Sequence, residues 1–297
     1  MLTKPSGDGK EMNTYNDIFH SARRKLRQAG IGAYDLEARL IVAKAAGKTR
    51  EELMSSSRLF VSDSAIPKAV DEMITRRLGG EPVGYIVGEW EFYSLPIIVN
   101  ETVLIPRTDT ELLASETIKL LKGSGRQTRL LDLCAGSGCI GLAIAANVPS
   151  CRIVLADNSD QALAVCRANM LRNNLSRNVT AIEVDVLEPA PALLGTFDAI
   201  VCNPPYIPTG DLIKLDPSVR DYEPVYALDG GPDGLYFFRA LATNWTALLK
   251  QGGYMALECG EGQADNVREI LLENGLSDLK TYKDTLGIER VIIGTTR

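Results

Sequence analysis

The chain has a single histidine, His20, among its 297 residues. A Ser–His–Asp or Cys–His triad would have to be built on it, far in sequence from every motif described below. The six cysteines, Cys134, Cys139, Cys151, Cys166, Cys202 and Cys259, form no C-x-x-C pair. With no second cluster of ligands they leave no closed set for zinc, so no metal site is expected. The polar opening stretch, MLTKPSGDGKEMNTYN, lacks the apolar segment of a signal peptide and reads as a loose tail over residues 1–13. The cysteines then read as reduced, mostly buried thiols of a cytoplasmic protein. Nor is there an unbroken run of membrane length. The longest apolar stretch, LLDLCAGSGCIGLAIAANV at 130–148, is interrupted by Asp132 and three glycines, which suits a strand, a loop and a helix. Positive charge is also short: 32 Lys and Arg stand against 38 Asp and Glu, a net charge of -6. That balance argues against a protein that coats nucleic acid.

What is present is enough for a sizeable core, with 45% hydrophobic residues. Over 14–81 the apolar spacing is helical. YNDIFHSARRKLRQAG stops at Gly30, and AYDLEARLIVAKAAG stops at Gly47. SDSAIPKAVDEMITRRLGG is capped by Ser62 or Ser64 and stops at Gly79 and Gly80. This predicts a small helical bundle, open between plain packing and a module that docks a substrate. Residues 82–107, with VGYIVGEWEFYSLPIIVN, are rich in aromatic and β-branched residues and predict a β-hairpin linker. A helix follows Pro106, capped by Thr108 or Asp109. From 128 onward seven strand-like segments alternate with helices. The class is therefore α/β, with a mostly parallel sheet covered on both faces, and the domain spans 108–297.

DLCAGSGCIG follows the first of these strands and opens a helix. Gly136, Gly138 and Gly141 match G-x-G-x-x-G, and Asp157 lies 21 residues after Gly136 at the next strand end. A dinucleotide site fits that pattern. Two features point elsewhere. Asp132, just before the loop, would repel a pyrophosphate but suits a ligand with positive charge, such as S-adenosylmethionine. Asp157, Asp185 and Asn203 also fall at successive strand ends, the edge where open α/β sheets bind ligands. Asp157 is placed to accept the ribose hydroxyls and Asp185 the adenine amino group, although each acid alone is equally well a helix cap. Ala135, Ser137, Cys139 and Val186 complete the expected cofactor contacts.

VCNPPYIPTG, at 201–210, ends a buried strand and runs into two prolines, which supply two carbonyls and no backbone N–H. Asn-Pro-Pro-Tyr resembles the catalytic motif of methyltransferases that alkylate planar nitrogens. An amide nitrogen is a poor nucleophile because its lone pair is delocalised. The side-chain oxygen of Asn203 and the carbonyl of Pro204 can each accept one N–H of an incoming NH₂ and favour charge developing on it. Pro205 stiffens the loop, and Tyr206 offers a flat surface to a flat group.

The resemblance extends further. GEPVGYIVGEWEFYSLPIIVNETVLIPRTDTELL, DYEPVYALDGGPDGLYFFRAL, LECGEGQ and DTLGIERV are similar to segments of the HemK-type glutamine methyltransferases, which modify peptide-chain release factors. It covers roughly residues 14–295. Ala135 stands where a threonine is common, and Thr108 where a proline is common. The resemblance implies a helical bundle, a hairpin linker and a Rossmann-like domain with a reversed terminal strand. It also implies S-adenosylmethionine as cofactor and release factors as partners, with residues 203–206 gripping the glutamine of a Gly-Gly-Gln motif. Neither a nucleic-acid nor a membrane requirement is expected. Arg107, Thr110 and Glu111 belong to the signature; Arg107 either contacts substrate or pairs with an acid. The alternatives are a ribosomal-protein glutamine methyltransferase, an adenine-N6 nucleic-acid methyltransferase, a dehydrogenase, and a catalytically silent binding protein. An adenine methyltransferase would need a base-reading domain and a basic cleft, which this chain does not announce.

Overall fold

The computed structural model describes residues 13–123 and 125–297. The tail expected over 1–13 lies outside them apart from Asn13, whose carbonyl accepts the Val61 N–H at 2.9 Å. The chain divides into two compact units that meet at Val87 and Gly88.

The first unit is helical: α1 (Tyr15–Gln28), α2 (Tyr34–Ala45), α3 (Arg50–Ser55), α4 (Ala65–Leu78) and α5 (Val83–Val87). Leu26, Ala38, Ile41, Val42, Val70 and Ile74 form its core. Arg77 pairs with Glu37 at 2.7 Å within it. Among the described residues of 14–81, four helices stand where three are predicted. α3 has a signal in Thr49-x-x-Glu52. The Thr49 hydroxyl accepts the Glu52 N–H at 3.1 Å and the Glu52 carboxylate accepts the Thr49 N–H at 2.8 Å, a capping box. At α4 the predicted serine cap is replaced. Ser64 makes no side-chain cap bond, and Asp63 Oδ1 accepts the Ala65 N–H at 2.8 Å instead.

α5 corrects the hairpin prediction over 82–107. Val83, Ile86 and Val87 are buried at helical spacing, and the Tyr85 and Ile86 N–H groups both return to the Pro82 carbonyl. A proline costs nothing at a helix start, where its missing N–H would be unpaired anyway. The hairpin, in the second unit, is only β1 (Glu89–Phe92) with β2 (Leu95–Ile98). Its turn holds Tyr93 and Ser94 at φ 50° and 62°, as a primed two-residue turn requires. Glu111 fastens it by accepting the Tyr93 N–H at 2.7 Å.

The rest of the second unit runs α6 (Thr110–Lys122), β3 (Thr128–Leu133), α7 (Cys139–Asn147), β4 (Cys151–Asp157), α8 (Asp160–Arg172), β5 (Val179–Glu183), β6 (Phe197–Cys202) and α9 (Pro217–Arg220). It continues with α10 (Tyr236–Trp245), β7 (Leu249–Glu258), α11 (Ala264–Glu273), β8 (Leu276–Lys283) and β9 (Glu289–Thr296). The seven-stranded sheet has the order β5-β4-β3-β6-β7-β9-β8, and β9 alone is reversed. This is the predicted mostly parallel α/β architecture. Side-chain alternation assigns the faces. Leu131, Leu133, Ile200, Met255 and Leu257 pack with Phe238 and Trp245 of α10 and Val267 and Leu271 of α11. Asp132, Ile153 and Leu155 point the other way, under Gly141 of α7. The chain leaves β3 toward β4 on one side and returns to β6 on the other. That reversal opens a crevice at the carboxyl ends of β3 and β6.

Candidate active site

At the crevice, β3 gives way to a tight loop. Cys134, Gly136 and Gly138 take φ of 54°, 54° and 78° before α7 begins. Two glycines are required by contact. A Cβ on Gly138 would lie 2.9 Å from Leu155 Cδ1, and one on Gly141 would lie 2.3 Å from Leu155 Cδ2. Asn169 of α8, fully buried, holds the loop from below. Its Nδ2 donates to the Ser137 carbonyl at 2.9 Å and to the Ile98 carbonyl at 3.0 Å, while Oδ1 accepts the Ile98 N–H at 2.6 Å.

The three acids differ. Asp157 ends β4 with Oδ2 accepting the Gly136 N–H at 2.8 Å and Oδ1 the Ser159 N–H at 3.0 Å. Burial raises its carboxyl and those two bonds oppose the rise. Its remaining lone pairs face a cavity of about 210 Å³ above the loop. Asp132 does not reach that cavity, a correction to the sequence expectation. The strand's alternation turns it beneath α7, where Oδ2 accepts the Gly141 N–H at 2.8 Å and Oδ1 has no partner among the described residues. Burial pushes its carboxyl up to about 7. It braces the loop from inside. Asp185 is also off the cavity wall. It lies past the end of β5 with Oδ1 accepting the Leu187 N–H at 2.9 Å, and Val184 and Val186 face the cavity in its place. Ala135, Gly136, Ser137 and Cys139 line the wall, whereas Gly138 packs inward.

Asn203 follows β6 directly. It forms part of the wall of the first cavity and of a second, about 260 Å³, lined by Pro204, Tyr206, Ile207, Leu215, Val219 and Leu228. Leu104, Arg107 and Ala227 share that position between the two. Pro205 faces the first cavity. The loop is held by two glycines of the segment GGPDG, Gly230 and Gly234. A Cβ on Gly230 would lie 2.7 Å from Tyr206 Cα, and one on Gly234 2.4 Å from the Tyr206 carbonyl oxygen. Gln263 adds a bond from Nε2 to that same oxygen at 2.9 Å. Burial, and next the charge of Glu258, raise the Tyr206 phenol, so it stays neutral near pH 7.

Sequence reasoning missed several residues here. Arg107 pairs with Glu223, 4% exposed, at 2.5 Å, which supplies the acid partner left open above. Tyr226 donates its hydroxyl to the Thr102 carbonyl at 2.6 Å and also faces the first cavity. Asn203 Nδ2 donates to Thr110 Oγ1 at 3.3 Å, and Glu258 lies buried behind Thr110. These partners come from segments 93 to 124 positions apart, beyond any local pattern. The quoted motifs DYEPVYAL and LECGEGQ were the available signal.

Residues 17–88 match the family model of the PrmC N-terminal domain, and residues 108–214 that of the Methyltransferase small domain. Over 260 residues the chain is 38% identical to the release factor glutamine methyltransferase of Thermodesulfovibrio yellowstonii, covering 86% of this chain and 91% of that one. The chain belongs to the release factor glutamine methyltransferases. The family's enzyme from Caulobacter vibrioides is 36% identical over 274 residues, 92% of this chain and 93% of its own. Among solved structures, the catalytic domain of hMettl16 in complex with a MAT2A 3'UTR hairpin matches with a TM-score of 0.55 at 16% identity. The match covers 69% of this chain and 77% of that one, a likeness of fold. S-adenosylmethionine is the methyl donor of the family. Among the described residues no cluster of three or more His, Cys, Asp or Glu is placed to hold a metal, and no helix is long and apolar enough to cross a membrane.

Proposed function

We propose that the chain methylates the side-chain amide nitrogen of a glutamine, that of the Gly-Gly-Gln motif of a peptide-chain release factor, in the cytoplasm. The observation that carries this reading is the pair of cavities meeting at Asn203.

The first cavity has the chemistry for S-adenosylmethionine. Asp157 has lone pairs left for a ribose diol. Val184, Val186 and Phe237 give a base apolar surface. The start of α7 offers N–H groups and a positive helix end to a carboxylate. When bound, S-adenosylmethionine supplies an electrophilic methyl group on a sulfonium. The protein's part is to orient the nucleophile. Asn203 Oδ1 and the Pro204 carbonyl, both without hydrogen-bond partners among the described residues, each accept one N–H of the glutamine amide. That grip favours positive charge developing on nitrogen and aims its lone pair across the wall. The neutral Tyr206 ring and the apolar side chains around it take the flat amide and keep water off it. Arg107, tied to Glu223, holds the shared wall in place. No base is needed before transfer, since the proton can leave afterwards.

The test uses the full chain with methyl-labelled S-adenosylmethionine and purified release factor, followed by mass spectrometry of the Gly-Gly-Gln peptide. Label on that glutamine is expected. With ribosomal protein and adenine-containing nucleic acid added as competing substrates, label on either of them and none on that glutamine would overturn the reading.

A further inference from the structure

Glu258 ends β7 at the same sheet edge as Asn203 and is 2% exposed, with Oε2 unpartnered among the described residues. Nothing in the mechanism above uses it. A buried carboxylate without a purpose is costly. Between it and Asn203 stands Thr110, the first residue of α6, also 2% exposed. Thr110 Oγ1 accepts from Asn203 Nδ2 at 3.3 Å. The Thr110 hydroxyl and the Asn203 amide both act to lower the Glu258 carboxyl, against its burial. Asn203 Nδ2–H is thus turned toward Thr110 Oγ1 and the side of Glu258, a group that when ionised only accepts.

We propose that Glu258, together with Thr110, is a positioning residue that fixes which end of the Asn203 amide faces the substrate. This rests on the reading of Asn203 as the group that grips the glutamine. With Glu258 ionised, Nδ2 is held toward Thr110 and Oδ1 is left for the substrate N–H. With Glu258 protonated, the arrangement can reverse. Glu258 donates to Thr110, Thr110 donates to Asn203 Oδ1, and the amide presents its own NH₂ to the NH₂ of the substrate. Two donors then face each other and the grip is lost.

The groups around Glu258 set where this switch falls. Burial raises its carboxyl to about 7, opposed by the Thr110 hydroxyl, by Arg290 from β9 and by the Asn203 amide. Asp109, just before α6, raises it. The Tyr206 phenol and the Cys139, Cys202 and Cys259 thiols nearby are themselves raised, all by burial first, and stay neutral. The productive orientation is therefore gained as pH rises through about 7.

The experiment is single-turnover methyl transfer to intact release factor at saturating S-adenosylmethionine, from about pH 6 to about pH 8.5, with cofactor affinity measured separately by calorimetry. For the wild type the rate should climb below neutrality and level off above it. Glu258→Gln should be slower by about 10- to 100-fold at the plateau, with its pH limb gone and cofactor affinity within about threefold. Thr110→Ser should keep the limb and Thr110→Val should lose it, a contrast that carries the test even if Glu258→Gln does not fold. Asp132 also titrates near neutrality, so the limb belongs to Glu258 only if it disappears in Glu258→Gln. Persistence of the limb there, or a rate within about twofold of wild type, overturns the inference. In that case Asn203→Ala separates the readings. If Asn203→Ala is slow, only the role of Glu258 falls. If it is as fast as wild type, the reading of Asn203 falls too.

Discussion

Two carboxylates behind the reaction cavities, Asp132 and Glu258, are buried and pushed up to about 7, and the consequence for stability has a definite sign. An acid whose carboxyl is raised in the fold binds its proton there while the unfolded chain, titrating near 3.8 for Asp132, has lost it. The contribution is full below that lower value and is lost as pH rises to about 7. Asp132→Asn, which cannot ionise and still offers an oxygen to the Gly141 N–H, is spared the loss. Its melting temperature should improve relative to wild type between pH 5 and pH 8. A gap that stays constant across that range contradicts the buried, neutralising carboxyl. The same residue shows what the sequence could and could not tell. Asp132 is visible as an acid at a strand end, but its face depends on strand alternation against α7. Reading it as a ligand contact put it on the wrong side of the loop. Asn203, Pro204 and Tyr206 are legible because their neighbours in sequence are their neighbours in space. Thr110, Glu223 and Glu258 are not, because their partners lie on other segments.

At the scale of elements, glycine placement decides how the loop after β6 is held. The loop at 203–206 is zipped to the segment after α9. The Ile207 N–H donates to the Leu228 carbonyl at 3.0 Å, and the Gly230 N–H donates to the Ile207 carbonyl at 2.8 Å. Gly234 takes φ 74° and leaves no room for a Cβ beside the Tyr206 carbonyl oxygen. Gly234→Ala should therefore push the loop. We expect a loss of about 1–3 kcal/mol in stability, as for overpacked sites, with turnover reduced more than cofactor affinity. Wild-type melting and turnover would mean the segment is a passive turn. The sheet elements were readable from alternation of strand and helix signals. α5 was not, because Val83, Ile86 and Val87 are β-branched residues in a helix one turn long. Such a short apolar run does not distinguish the two periods.

For the molecule as a whole, the division at Val87 and Gly88 separates a helical unit from the unit that carries both cavities. A three-residue motif is too small to select a release factor alone. We propose that the helical unit recognises the factor's body. Removing residues 1–87 should slow methylation of intact release factor more than that of a short Gly-Gly-Gln peptide, measured as kcat/KM on each. Equal losses would place recognition elsewhere. Asn203 lines both cavities. The most direct measurement is the single-turnover rate of methyl transfer to the Gly-Gly-Gln glutamine by Asn203→Ala, beside its affinity for S-adenosylmethionine. The account predicts a rate lower by about 10²–10³ with affinity nearly unchanged. A near-normal rate on that glutamine would contradict it.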